Sequence, residues 1–164
     1  DSNRFLFNPV NENIFFKVGD LIKKYKLNIQ SIYTDIYMRP MSEIRLMGYI
    51  ASNLKVTKNK FAYIILENDI VASFNADASS ASNMVNDFSN IEEFVVWLFV
   101  TYDAKNDVYK VNIRSRGPVI NKLAAKYNGG GHIYSSGARV KTKEELNNLI
   151  VDYDDLCKDY LKNN

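Results

Sequence analysis

The order of apolar and polar residues divides the chain into a helical first third and a mixed remainder. From about residue 12, apolar residues recur every three or four positions, which is typical of one face of an α-helix. The spacing predicts a helix after Pro9 that ends near Asn28, a second over about 29–38, and a third from Pro40 to about Leu54. The polar run KVTKNK (55–60) then interrupts the pattern, and we interpret it as a joint between two modules.

Beyond residue 60 the pattern combines strand and helix signals. The run FAYIIL (61–66) predicts a buried strand, and the segments 93–103 and 108–116 predict a hairpin with its turn at 104–107. Helices are predicted over 77–91, from Pro118, and from Thr142, where Thr142 and Glu145 form a capping-box motif; a short strand is predicted near 138–141. Strands interleaved with helices predict an α+β (α/β-like) fold: a helical segment followed by a small mixed-sheet domain with flanking helices.

Composition narrows the classes of protein that fit this pattern. The chain has 164 residues, 46% of them hydrophobic, and 21 basic against 19 acidic side chains, so a core can form and any anion site must be local. The single cysteine, Cys157, excludes an intrachain disulfide framework and is interpreted as a buried helix residue. No apolar run approaches the ~18 residues of a membrane span, and the first residues do not resemble a signal peptide. We therefore expect a cytoplasmic protein with no membrane partner.

The second strand of the hairpin carries the first candidate site. Alternation places Lys110, Asn112, Arg114 and Arg116 on one face, and Gly117–Pro118 predicts a helix start directly after the arginines. A helix start offers free N–H groups, and guanidinium groups add charge-assisted hydrogen bonds, so both favour phosphate or carboxylate. The strand alone would fit an ordinary solvated basic face. Together with the helix start, Arg114, Ser115, Arg116 and Gly117 predict an anion site.

The segment YNGGGHIYSSGARV (127–140) holds four of the seven glycines and the only histidine. Asn128–Gly129 predicts the end of the preceding helix, which accounts for one glycine. Gly130 and Gly131 predict a backbone that approaches an oxygen-rich ligand, with His132 beside it to donate to a phosphate or stack on a base, although a lone histidine is more often structural. These residues do not match the motif of a zinc cluster, a Ser-His triad or a P-loop. The segment predicts a ligand cradle without a catalytic group.

These residues carry a resemblance to a known family. The stretch RSRGPVINKLAAKYNGGGHIYSSGA resembles the C-terminal substrate-binding (DHH-associated) domain of the DHH phosphoesterases, which are named for an Asp-His-His motif in a separate N-terminal domain. Within the family it is most similar to the bacterial nanoRNases, which are oligoribonucleases and 3′-phosphoadenosine-5′-phosphate phosphatases. Cyclic-dinucleotide phosphodiesterases share the same domain. The first residues, DSNRFLF, are also similar to the family segment that ends the catalytic core and supplies a metal-binding aspartate, here Asp1.

The resemblance implies where the chain divides into domains and which domain would carry out hydrolysis. Residues 1–57 would be the tail of the catalytic domain with a helical linker, and residues 58–164 the substrate-binding domain. The family's Asp-His-His motif, which holds two Mn²⁺ or Mg²⁺ ions, does not occur in these residues. We therefore expect this chain to hold no metal and to hydrolyse nothing without the missing catalytic domain. Its substrate-binding residues would be Arg114, Ser115, Arg116, Gly117, Asn128, Gly129, Gly130, Gly131 and His132.

The function implied is recognition of a nucleotide or a short oligoribonucleotide for a metal-dependent phosphoesterase. Two alternatives stay open: a cyclic-dinucleotide phosphodiesterase, and a non-catalytic module that binds single-stranded RNA, because related domains end the alanyl-tRNA synthetases. Ser82 and Asn86 could also line the cleft, although an amphipathic helix with polar caps explains them equally well. Homodimerisation is left open.

Overall fold

The structure is a computed structural model that describes Phe5 and residues 10–76 and 78–164. The helices of this part are α1 (Glu12–Tyr25), α2 (Ile29–Tyr37), α3 (Met41–Asn53), α4 (Asn68–Ser73), α5 (Ala78–Asn83), α6 (Asn121–Lys126) and α7 (Lys143–Lys162), with a 3₁₀ turn at Met84–Phe88. The strands are β1 (Lys55–Val56), β2 (Phe61–Leu66), β3 (Val96–Asp103), β4 (Val108–Ser115), β5 (Gly130–His132) and β6 (Ser135–Val140). The predicted α+β fold is confirmed.

The chain divides into two compact units, residues 1–39 and residues 40–164. The first unit contains α1 and α2, which confirm two of the predicted helices and contribute no buried residue. The third predicted helix, α3, is part of the second unit, where Leu46 and Ile50 are fully buried in a hydrophobic core. The domain boundary proposed after residue 57 stays a prediction.

One six-stranded sheet organises the second unit, in the order β1-β2-β3-β4-β6-β5. Strands β2 and β3 are parallel, and the other neighbouring pairs are antiparallel. The predicted strand 61–66 and the predicted hairpin are confirmed, and the hairpin register runs from Val96 opposite Ser115 to Asp103 opposite Val108.

Helices α6 and α7 cover one face of the sheet. The apolar side chains on this face of β4 and β6 (Val111, Ile113, Ala138 and Val140) form one core with Ala124 of α6 and with Leu146, Leu149, Tyr153 and Cys157 of α7. The predicted capping box begins α7: Thr142 Oγ1 accepts from the Glu145 N–H at 3.0 Å, and Glu145 Oε2 accepts from the Thr142 N–H at 3.3 Å.

Helices α3 and α5 and the 3₁₀ turn cover only half of the opposite face. Their side chains bury Ala62 and Ile64 of β2 and Trp97 and Phe99 of β3 in a second core. On β4, β6 and β5 the residues of this same face are half-buried or exposed, apart from Val108 at the start of β4, which is buried. The alternation predicted for β4 is therefore confirmed, and its polar side lies on the uncovered half of the sheet.

Two element predictions were wrong near the glycines. The helix expected from Pro118 begins only at Asn121, because Ser115 Oγ accepts from the Gly117 N–H at 3.1 Å and donates to the Pro118 carbonyl at 2.6 Å, which forms a turn instead. The strand expected near 138–141 begins at Ser135 and pairs with Gly130–His132, so the glycine segment is itself a strand. Cross-strand pairing overrides the low strand propensity of glycine here. The helix predicted over 77–91 is also shorter, because it changes to a 3₁₀ turn at Met84.

The thiol of Cys157 is expected to be unreactive in the folded protein. It lies on α7 with no exposed surface, and burial raises its pKa to about 12, so almost no thiolate forms near neutral pH. At pH 8 an aromatic disulfide reagent should modify the native chain far more slowly than the urea-unfolded chain. Stoichiometric modification of the native protein at the rate seen in urea would contradict the buried position.

Candidate functional site

The uncovered half of the sheet, called the open face below, presents its side chains in three rows. Residues paired across neighbouring antiparallel strands point to the same side, and every second residue of a strand shares that side. The rows are Arg114–Ser135–His132, then Asn112–Gly137–Gly130, then Lys110–Arg139. Basic groups therefore stand on both sides of a row that contains two glycines.

Arg114 is a cation of the open face that two hydrogen bonds hold in place. Its Nε donates to Asn86 Oδ1 and its Nη1 donates to the Ile113 carbonyl, both at 2.9 Å. Burial lowers the pKa of Arg114, but a guanidinium stays protonated at any physiological pH. A charge that is partly removed from water attracts an anion more strongly than a fully solvated one. Arg114 is therefore suited to bind a phosphate or carboxylate in the row that ends at His132, which is exposed.

The other residues of the Arg-Ser-Arg-Gly motif contact the protein itself. Arg116 Nη2 donates to the carbonyl oxygens of Ile91 and Phe94, and its Cζ lies 6.0 Å from the centre of the Trp97 ring. Ser115 closes the turn to Pro118, and its side chain is buried. A Cβ atom at Gly117 would lie 2.5 Å from the Tyr160 ring. These contacts give all three residues a packing role, and their predicted role in ligand binding stays a prediction.

Two of the three consecutive glycines are required by the chain itself. A Cβ atom at Gly129 would overlap the Gly137 carbonyl oxygen and approach Ala138 Cα to 2.7 Å. At Gly131 φ is +132°, and a Cβ atom would lie 2.7 Å from the Ser135 carbonyl oxygen. The left-handed residue after α6 is Asn128, with φ +52°, and not Gly129 as the sequence suggested. Asparagine is one of the few residues other than glycine that adopt this conformation readily. Gly129 is therefore needed for close packing and not for its backbone conformation.

Gly130 is different. A Cβ atom there would meet no heavy atom of the described chain within 4 Å, and its φ lies outside the left-handed region. Its cross-strand neighbour Gly137 is also unconstrained, because a Cβ atom there would make only an ordinary 3.5 Å contact with the Val111 carbonyl oxygen. The fold does not require glycine at either position. Their effect is to leave the middle row of the open face bare next to Asn112.

A cleft of about 940 Å³ lies over this bare row, at the upper end of the ~300–1,000 Å³ typical of small-molecule sites. Its lining includes the predicted residues Asn128, Gly129 and Gly130. Ser82 also lines it and lies 3.1 Å from the Thr101 hydroxyl. The predicted residues Arg114, Ser115, Arg116, Gly117, Gly131 and His132 are outside this lining. Arg114 and His132 nevertheless border the cleft, because their row is next to that of Gly130.

At the far end of the cleft, an acidic neighbour offsets the charge of Lys110. Lys110 Nζ lies 2.7 Å from Asp103 Oδ2. Hydrogen bonds from Lys110 and Asn106 hold the pKa of the Asp103 carboxyl well below its usual range, so it stays ionised and offsets the charge of Lys110. A bound anion is therefore attracted more strongly to Arg114 than to Lys110.

Sequence reasoning missed Gly137 and Arg139 as parts of this surface. Alternation along a strand that begins at Ser135 would have placed Ser135, Gly137 and Arg139 on one side, but the strand was predicted to begin too late. Only the pairing of β6 with β4 brings them beside Arg114 and Lys110.

A metal site does not fit the residues that the structure describes. Asp1, the ligand implied by the family resemblance, lies outside them. No group of three or more His, Cys, Asp or Glu side chains within 10–76 and 78–164 could hold an ion. The same residues include no helix that is both long and apolar enough to cross a membrane.

Fold and open face together define a small α+β domain with a cleft in the row next to Arg114. The chain belongs to the DHHA1 domain family, whose model matches residues 50–159. The resemblance drawn from the two glycine-containing motifs is thereby confirmed.

Among its relatives is the bifunctional oligoribonuclease and PAP phosphatase NrnA of Bacillus subtilis, 34% identical over 98% of this chain and 50% of the relative. The protein of the same name in Mycoplasma pneumoniae is 30% identical over 93% of this chain and 46% of the relative. An exopolyphosphatase-related protein from Bacteroides fragilis has a solved structure with a TM-score of 0.82 and 29% identity, covering 96% of this chain and 48% of that one. The chain therefore spans about half the length of the relatives it matches.

A pGpG-specific phosphodiesterase from Vibrio cholerae shares the fold, with a TM-score of 0.53 and 12% identity over 98% of this chain and 55% of that one. At this identity the likeness concerns the fold alone.

Proposed function

We propose that this domain recognises a nucleotide or a short oligoribonucleotide for a DHH-family phosphoesterase of which it forms the C-terminal part. The observation that carries the proposal is the register that sets Arg114, Ser135 and His132 in one row, next to a cleft with Gly130 in its lining. Arg114 would bind a phosphate through charge-assisted hydrogen bonds, and His132 would add a donor. The bare row would allow ribose or base to approach the strand backbone.

The names of the relatives support the substrate class. Two of them act, by name, as oligoribonucleases and as PAP phosphatases, and both activities concern small phosphate esters with a nucleoside attached. The nearly balanced charge of the chain, 21 basic against 19 acidic groups, favours short ligands over long polyanions. These points support a hydrolase in which this domain binds the substrate.

In this proposal the chemistry of hydrolysis belongs to the catalytic domain. Mn²⁺ or Mg²⁺ held there would supply the activated water and neutralise developing charge. Arg114, His132 and the cleft would orient the substrate, so that it is held next to the reacting group instead of diffusing freely. The residues described here bind and align the substrate.

A titration followed by NMR tests this function. On adding adenosine 3′,5′-bisphosphate or a diadenylate, we expect the backbone amides of residues 114–117 and 129–132 to shift together and saturate, while amides of α7 stay near their positions. Affinity should be highest for ligands of two to five nucleotides. Unmoved amides at saturating ligand would refute the site.

The same titration with a long single-stranded RNA separates the alternatives. Binding independent of chain length, with a steep dependence on salt concentration, would indicate a non-catalytic RNA-binding module. A preference for a cyclic dinucleotide or for linear pGpG over adenosine 3′,5′-bisphosphate would indicate a phosphodiesterase for cyclic dinucleotides or their products.

A further inference from the structure

We propose that Asn86 is a positioning residue that fixes the guanidinium of Arg114 and decides which of its edges a phosphate can reach. The inference rests on the proposed function and deepens it, because it concerns how the same site binds its anion. Asn86 lies in the 3₁₀ turn, and its amide oxygen accepts from Arg114 Nε at 2.9 Å.

Asn86 is exposed, but the turn that carries it is anchored and its side-chain amide has a partner at each end. Its neighbours Met84, Val85 and Phe88 are buried in the core, which anchors the turn to the sheet. Its Nδ2 donates to the Asn83 carbonyl at 3.2 Å, so the amide oxygen is turned towards Arg114. Its own carbonyl accepts from the Ser89 hydroxyl at 2.5 Å and from the Ser89 N–H at 3.3 Å. The acceptor that meets Arg114 is therefore fixed before any ligand arrives.

This contact determines the direction from which an anion can bind. A guanidinium carries five N–H groups and can bind an oxyanion through its Nε–Nη2 edge or through its Nη1–Nη2 end. Asn86 occupies Nε–H and the Ile113 carbonyl occupies one N–H of Nη1. Within the described chain both N–H groups of Nη2 and one of Nη1 have no protein acceptor. A phosphate is therefore expected to bind through the Nη1–Nη2 end.

The neutral amide matters for a second reason. Asparagine orients the guanidinium without cancelling its charge, whereas a carboxylate in the same place would form an ion pair with Arg114 and compete with a bound phosphate. Ordering the arginine beforehand also removes part of the side-chain entropy that binding would otherwise cost. Both effects act through Arg114, so they vanish when Arg114 is absent.

A double-mutant cycle on the full chain tests this dependence, with adenosine 3′,5′-bisphosphate as the ligand at one salt concentration. Asn86→Ala should weaken binding about 3- to 10-fold, the effect of losing a modest coupling between contacting residues. In the Arg114→Ala background the same change should cause no further loss. Asn86→Asp should weaken binding at least as much as Asn86→Ala. The matched control is Asn90→Ala, an exposed asparagine just after the turn, which should bind like the wild type.

The outcomes separate this proposal from the proposed function. A wild-type chain that does not bind the ligand refutes both. If the wild type binds and Arg114→Ala binds weakly, but Asn86→Ala causes the same loss in both backgrounds, only the positioning role is refuted. An independent readout without ligand is the Arg114 Nε–H resonance, which should exchange with water more slowly in the wild type than in Asn86→Ala; equal exchange rates would also overturn the role.

Discussion

Alanine in place of Gly129 is expected to destabilise the folded chain by about 3 kcal/mol or more, at the upper end of the cost of overpacking. The added methyl group would collide with backbone atoms of Gly137, Ala138 and Ala124, and backbone cannot move aside as a flexible side chain can. The collision would force α6 away from β6. Urea unfolding curves of the variant and the wild type, analysed with the same dependence on urea concentration, measure the loss in the free energy of unfolding.

Gly130→Ala is the matched control one residue away. Because a methyl group there meets open space, the free energy of unfolding should change by no more than about 0.5 kcal/mol. Binding of adenosine 3′,5′-bisphosphate should nevertheless weaken, since the methyl group enters the bare row of the open face. If Gly130→Ala binds normally, the space over Gly130 does not hold the ligand. Equal destabilisation of both variants would mean that glycine packing alone explains the segment.

Arg114→Ala is expected to weaken nucleotide binding by about 1.5–3 kcal/mol, the range for a hydrogen bond to a charged group. Lys110→Ala should change binding little, although both side chains lie on the same face of β4. The two side chains lie two rows apart, which is four residues or roughly 13 Å along the strand. Lys110 is also paired with Asp103 at 2.7 Å. Titration calorimetry of both variants at a fixed salt concentration measures the difference.

Equal losses in the Arg114 and Lys110 variants would indicate a diffuse basic face in place of a site. Unfolding curves for both variants must accompany the binding data, because Arg114 also bonds to Asn86 and joins the 3₁₀ turn to β4. A binding loss that follows the loss of stability would assign Arg114 to the fold alone.

Most elements could be predicted from the sequence because their signals are local. The helical spacing of α1 to α3, the apolar run of β2 and the capping box of α7 all lie within a few turns or a single strand. The start of α6 and the strand Gly130–His132 could not be predicted in this way. Pro118 and the glycines carry strong local signals, but the turn at Ser115 and the pairing with β6 override them.

The sequence by itself determined the family, through two motifs whose residue types and spacing are specific, and it singled out Arg114 and His132 as candidate anion-binding residues. Only the tertiary structure decided which motif residues face the cleft. Gly117 packs against Tyr160, and Gly129 packs against Gly137 and Ala138, so both positions leave no room for a side chain. Arg116 donates to carbonyls of the loop before β3. These partners are distant in the sequence, so no local pattern distinguishes a glycine needed for packing from Gly130, whose side-chain space stays open.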